Sequence, residues 1–101
     1  MKTIIASLSL LLTFYSHLSW AQGDIKTGKS KALVCAGCHG MNGLSASPTI
    51  PNLAGQKQAY LVKQLQEFKS SKRRDPIMSG AAMSLSQQDM EDLASYFSNL
   101  N

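Results

Sequence analysis

The stretch "HGMNGLSASPTIPNLAGQ", residues 39–56, constrains this chain more than any other. Asn42-Gly43 is a strong turn signal, and Pro48 and Pro51 forbid a regular helix across it. Roughly 17 residues of irregular chain are unusual inside a small domain, because ordered loops that long carry a high entropic cost. The pattern implies a loop wrapped around something that is not protein.

The domain in question is smaller than the 101-residue chain. Lys2 supplies a positive start, and the apolar run "IIASLSLLLTF" follows. That run is too short and too rich in serine for a membrane span, which needs roughly 20 mostly apolar residues. In "SHLSWAQ", Ser19 and Ala21 place small side chains where a signal peptidase reads. Residues 1–21 therefore read as a cleaved secretory signal peptide, and 22–101 as one exported domain of about 80 residues. The competing reading, an uncleaved membrane anchor, leaves the small-x-small site unexplained. A domain of this size often needs a metal, disulfides or a cofactor to hold together. Ten Lys and Arg against six Asp and Glu give a formal charge of +4, part of it on Lys2. This mild excess allows a protein partner with an acidic face but lacks the dense basic stripe of a nucleic-acid binder.

Three helices are predicted. Asp24 caps the first, about Ile25 to Val34, with Gly28 weakening its first turn. The second, about Gln58 to Ser70, sets Leu61, Leu65 and Phe68 on one face with Tyr60 beside them. The third starts at Ser86, with Asp89 three residues on as a capping-box partner, and carries Met90, Leu93, Ala94 and Phe97 at helical spacing. No useful length alternates with period two. The fold class is all-α, with long loops between helices.

The first helix delivers "CAGCH", residues 35–39, which holds every cysteine in the chain. Zinc would need about four Cys or His ligands, and the exported domain offers Cys35, Cys38 and His39. A thioredoxin-like pair needs a strand before the motif and a helix start that lowers a thiol pKa; here a helical pattern precedes and a loop follows. Covalent haem attachment remains, since C-x-x-C-H is its signature and the small Ala36-Gly37 pair lets backbone lie close to a ring. Two thioethers would hold the macrocycle, and the next residue would turn its imidazole under the iron.

Haem iron has a second axial face. Met41 stands only about 7 Å of chain from His39 and cannot pass round the ring. Met90 belongs to the apolar stripe of the last helix. Met78 and Met83 stay open, both in "DPIMSGAAMSLS", which reads as a loop with small residues that let backbone crowd a ring. Ordinary gap filling is the competing explanation for each.

Taken together, "CAGCHGMNG", "PNLAGQ", "YLVKQLQEFK" and "SLSQQDMEDLASYF" resemble the class I cytochromes c, chiefly the small bacterial periplasmic members and single domains of their di-haem relatives. The resemblance spans residues 24 to 98. It implies the cytochrome c fold, with three main helices and long loops around one covalent haem c. It implies Cys35 and Cys38 as thioether anchors, His39 as an axial ligand, and the Pro51 carbonyl as acceptor for the other ring nitrogen of His39. It selects Met78 as the opposite ligand, seven residues before Leu85-Ser86, with Met83 as the fallback. Two features depart from the family pattern: Ser71 stands where glycine is frequent, and the basic loop between Arg74 and Met78 is short.

With both axial positions filled by protein, the expected role is a periplasmic one-electron carrier and not an enzyme. The alternative is a haem subunit of a larger periplasmic dehydrogenase, for example a sulfide- or alcohol-oxidising one. Leu53, Tyr60, Leu65, Phe68, Leu93 and Phe97 are the expected apolar wall. Lys69, Lys72, Arg73 and Arg74 form a basic cluster, and Asp89, Glu91 and Asp92 an acidic one. These read either as two solvated faces or as a dipole that steers redox protein partners. A monomer, or transient complexes, with no membrane span after signal removal, completes the expectation.

Overall fold

The computed structural model describes residues 23–101. The expected signal peptide lies outside them. Asp24 opens α1 (Ile25–Lys31), its carboxylate accepting from the Lys26 and Thr27 amides. The predicted continuation to Val34 is present but tightened: Ala32–Val34 is a 3-10 turn, with the Cys35 amide donating to Ala32 O at 2.9 Å. One further helical turn, α2 (Ala36–His39), runs through the cysteine motif itself. Then come α3 (Gln58–Lys69), α4 (Met78–Met83) and α5 (Gln87–Ser98), with no strand among the described residues. None of these helices is long and apolar enough to cross a membrane.

Helix α5 is the spine. Its capping box is complete, with Ser86 Oγ accepting from the Asp89 amide at 3.0 Å and Asp89 Oδ2 from the Ser86 amide at 2.8 Å. Leu93, Ala94, Tyr96 and Phe97 form the buried cluster with Ala32 and Leu61, and Leu53, Leu65 and Leu85 lean against it. Burying a side chain the size of leucine or phenylalanine contributes roughly 1.5–3 kcal/mol, so this face holds most of the fold. Met90 is core, as its spacing predicts, while Tyr60 of the expected wall is half exposed.

Helix α1 crosses α5 at Gly28. A Cβ there would stand 2.0 Å from the Asp92 carbonyl oxygen and 2.8 Å from Tyr96 Cβ, so glycine sets how closely the helices approach. The residue that weakens α1 as an isolated helix is thus the one that lets it dock.

The acidic cluster is not a solvated face. Asp92 is 3 % exposed and accepts from the Asp24 amide at 2.8 Å, Lys31 Nζ at 2.7 Å and Gln88 Nε2 at 2.9 Å. Lys31 Nζ also meets Asp89 Oδ1 at 2.6 Å. Burial pushes the Asp92 carboxyl up, but these bonds outweigh it and leave the group below its ordinary value. The Lys31 ammonium, and next the Ser86 amide, pull Asp89 down to about 2.

Candidate functional site

Cys35, Cys38 and His39 share one side of a single helical turn, because i, i+3 and i+4 lie over one another on a helix. The His39 amide donates to Cys35 O at 2.9 Å, and the Gly40 amide closes the turn on Ala36 O at 2.9 Å. Gly40 (φ 87°) ends it in a conformation that favours glycine, and a Cβ there would lie 2.0 Å from Leu44 O. Both thiols are free. Burial raises the Cys35 thiol pKa, and the neighbouring Cys38 adds to the rise. That direction opposes the lowered pKa on which a thiol–disulfide exchange pair depends.

His39 is buried at 7 % exposure, and its Nδ1 lies 2.8 Å from Pro51 O. A carbonyl oxygen only accepts, so the pairing assigns the proton to Nδ1 and leaves the lone pair on Nε2. Pro51 is held in place through the three residues that follow it. The Ser45 amide donates to Asn52 Oδ1 at 2.6 Å, and the Leu53 and Ala54 amides donate to Gly43 O at 2.8 and 3.0 Å. Further on, the Gly55 amide donates to Phe97 O at 2.9 Å and pins the loop to α5. "PNLAGQ" is therefore a strap with a fixed geometry behind the histidine.

The methionine segment differs from the expected loop. Met78–Met83 is the short helix α4, which packs on α3. "DP" is the signal that announces the turn ahead of it, since an aspartate carboxylate readily accepts from the amides two and three residues on and proline favours the turn position after it. Six residues with a central Gly80 hide that signal in a propensity reading. Asp75 Oδ1 accepts from the Ile77 amide at 2.9 Å and the Met78 amide at 2.8 Å. Those bonds, first the one from Met78, hold the Asp75 carboxyl below its ordinary range. Ala82 is completely buried, which fixes the rotation of α4. Met78, four residues earlier, shares that face; Met83 lies well round the helix and is 67 % exposed.

The basic cluster is partly spent inside the fold. Lys69 Nζ donates to Leu85 O, and Arg73 sits 4.5 Å over the Phe68 ring with Nη1 on Gln64 Oε1 at 2.7 Å. Lys72 and Arg74 are exposed. Among the described residues no group of three or more His, Cys, Asp and Glu is set to hold a metal ion. The donor set is instead one imidazole nitrogen, two free thiols and one or two thioethers. Around it, in sequence, stand exposed apolar side chains: Leu33 and Val34 before the motif, Met41 and Leu44 after it, and Ile77 ahead of α4. Large exposed apolar groups next to soft donors fit a flat apolar prosthetic group with a metal centre.

The Cytochrome c family matches residues 25–101. Cytochrome c4 of Pseudomonas aeruginosa is 45 % identical over 93 residues, covering 91 % of this chain and 46 % of that protein. Cytochrome c-554(548) of Halomonas halodenitrificans is 34 % identical over 80 residues, covering 76 % of this chain and 96 % of its own. The crystal structure of reduced cytochrome c4 from Pseudomonas stutzeri superposes with a TM-score of 0.74 at 42 % identity, over 78 % of this chain and 46 % of the other. The chain spans about half the length of the cytochromes c4 it matches.

Proposed function

The chain belongs to the cytochrome c family, whose members hold haem c covalently, and from that premise we propose that it is a one-electron carrier with a single haem, exported to the periplasm. Haem c supplies a one-electron iron couple in a site the protein keeps closed. Cys35 and Cys38 would hold the macrocycle, His39 would take one axial position through Nε2, and Met78 the other. The observation that carries the reading is the His39–Pro51 pair at 2.8 Å, beside two free thiols on the same turn. It orients the ring and selects the neutral tautomer whose Nε2 carries the lone pair.

The rotation of α4 favours Met78 over Met83, because the buried Ala82 brings Met78 and not Met83 to the inward face. With His39 and Met78 both holding the iron, the protein would leave it no open position for a substrate. Leu53, Leu65, Leu93 and Phe97 keep water away and hold the surroundings rigid, which suits electron exchange better than bond chemistry.

Expression with haem-attachment machinery, followed by spectra of wild type, Met78→Ala and Met83→Ala, tests the assignment. Covalent haem and loss of the methionine-to-iron charge-transfer band in Met78→Ala alone are expected. Absence of covalent haem overturns the carrier reading, and a band that survives Met78→Ala moves the ligand to Met83. Recovery from periplasm as a free protein is expected; stoichiometric co-purification with a dehydrogenase would make the chain its haem subunit.

A further inference from the structure

We infer that Asp75 is the positioning residue for the methionine side of the site, holding Met78 in place by accepting the Ile77 and Met78 amides in the turn that leads into the helix that carries it. This inference rests on the proposed role of Met78. Helix α4 has six residues, including Ser79 and Gly80, and a helix that short does not persist on propensity. Three anchors hold it: Asp75 just ahead of it, the burial of Ala82 where α4 packs on α3, and Lys69 on the Leu85 carbonyl just beyond its end. Of the three, Asp75 alone acts on the backbone of Met78 itself. One carboxylate oxygen receives both the Ile77 and Met78 amides. The contact is reciprocal, since the Asp75 amide donates to Ser79 Oγ at 3.1 Å and the Ser79 amide to Asp75 O at 2.9 Å. Met78 lies in the first turn, the part of a helix that frays once its free amides lose their acceptor.

A thioether is a neutral, soft ligand whose hold on a metal depends on being delivered at the right distance. Freeing its backbone should raise the population in which an external ligand takes its place. Pro76 adds to the effect by presetting the backbone of the turn between Asp75 and the helix.

The test uses the intact haem-loaded protein, with imidazole as the probe. Asp75→Ala should bind imidazole to the ferric form about five- to tenfold more tightly than wild type, the range expected from loss of a side-chain acceptor for backbone amides. Asp75→Asn should remain within about twofold of wild type, because asparagine accepts from the same amides as aspartate does. Ser86→Ala removes the cap of α5 at similar cost to the fold and should leave imidazole affinity unchanged, which separates positioning from general destabilisation. Unchanged affinity in Asp75→Ala, or an equal rise in Ser86→Ala, overturns the inference. Survival of the methionine-to-iron charge-transfer band in Met78→Ala is a separate result: it removes the ligand assignment beneath the inference.

Discussion

Ser71 sits just past the end of α3 with φ 63°, the left-handed region in which a side chain is strained. The helix ends there because its amide turns back to Phe68 O at 3.3 Å and the Arg73 amide to Glu67 O at 3.0 Å, a closure that needs this one residue reversed. A non-glycine residue in that region costs roughly 1–2 kcal/mol, and glycine returns part of the gain through its freer unfolded chain. Ser71→Gly should therefore stabilise the protein by about 0.5–1 kcal/mol in chemical denaturation of the haem-loaded form. A loss of stability would mean that the exposed hydroxyl makes a contribution the backbone geometry does not explain. The departure from the family's glycine is thus a small strain carried by a single residue, at the root of the loop that leads to α4.

Between elements, the α1–α5 junction decides stability. Gly28→Ala forces a Cβ into the Asp92 carbonyl, and a helix shift is the only relief; the expected cost is about 3 kcal/mol, read as a lowered thermal midpoint. A midpoint equal to wild type would show that α1 can slide. The same junction sets a pH dependence. Asp89 titrates at about 2 in the fold against an ordinary value of 3.8, so its contribution is complete above 3.8 and is lost as pH falls through about 2. Asp92 is shifted in the same direction. Lys31 is shifted up from 10.5, held first by Asp89 and then by Asp92, so its contribution is complete below 10.5 and is lost as pH rises through the folded value. Lys31→Met should flatten the acid limb of the stability profile between about pH 4 and 2, measured by denaturation at a series of pH values. An unchanged limb would assign acid unfolding to other carboxylates.

At the scale of the whole molecule, the buried cluster is small for the length of loop it supports, and large apolar side chains stand exposed on both flanks of the site. The covalent group is expected to complete that core, since domains of this size often need a cofactor, metal or disulfide to hold together. A Cys35→Ser/Cys38→Ser variant, unable to form thioethers, should lose most of its helical circular dichroism and unfold without a cooperative transition. Native helix content with a sharp transition would mean that the chain folds unaided. Lys69 and Arg73 are tied down within the fold but keep their charges, since their partners are a carbonyl, an amide oxygen and an aromatic ring. The formal excess of +4 is small, part of it on Lys2, so the salt dependence of association should be shallow.

What the sequence determined by itself is local. The Asp24 and Ser86 caps, the helical stripes of α3 and α5, the turn at Asn42-Gly43 and the spacing of "CAGCH" act over a few residues, and each is present in the structure. The rest depended on distant neighbours. Asp92 reads as a surface charge until Asp24 and Lys31, 68 and 61 residues away, close over it. Gly28 reads as a weak point until α5 arrives beside it. Helix α4 is too short to form alone and takes its existence from the Asp75 bonds ahead of it and from its packing on α3. Short-range hydrogen bonding and side-chain periodicity are written into a few consecutive residues. The rotation of a helix, and the burial of a charge, are settled only when the elements pack.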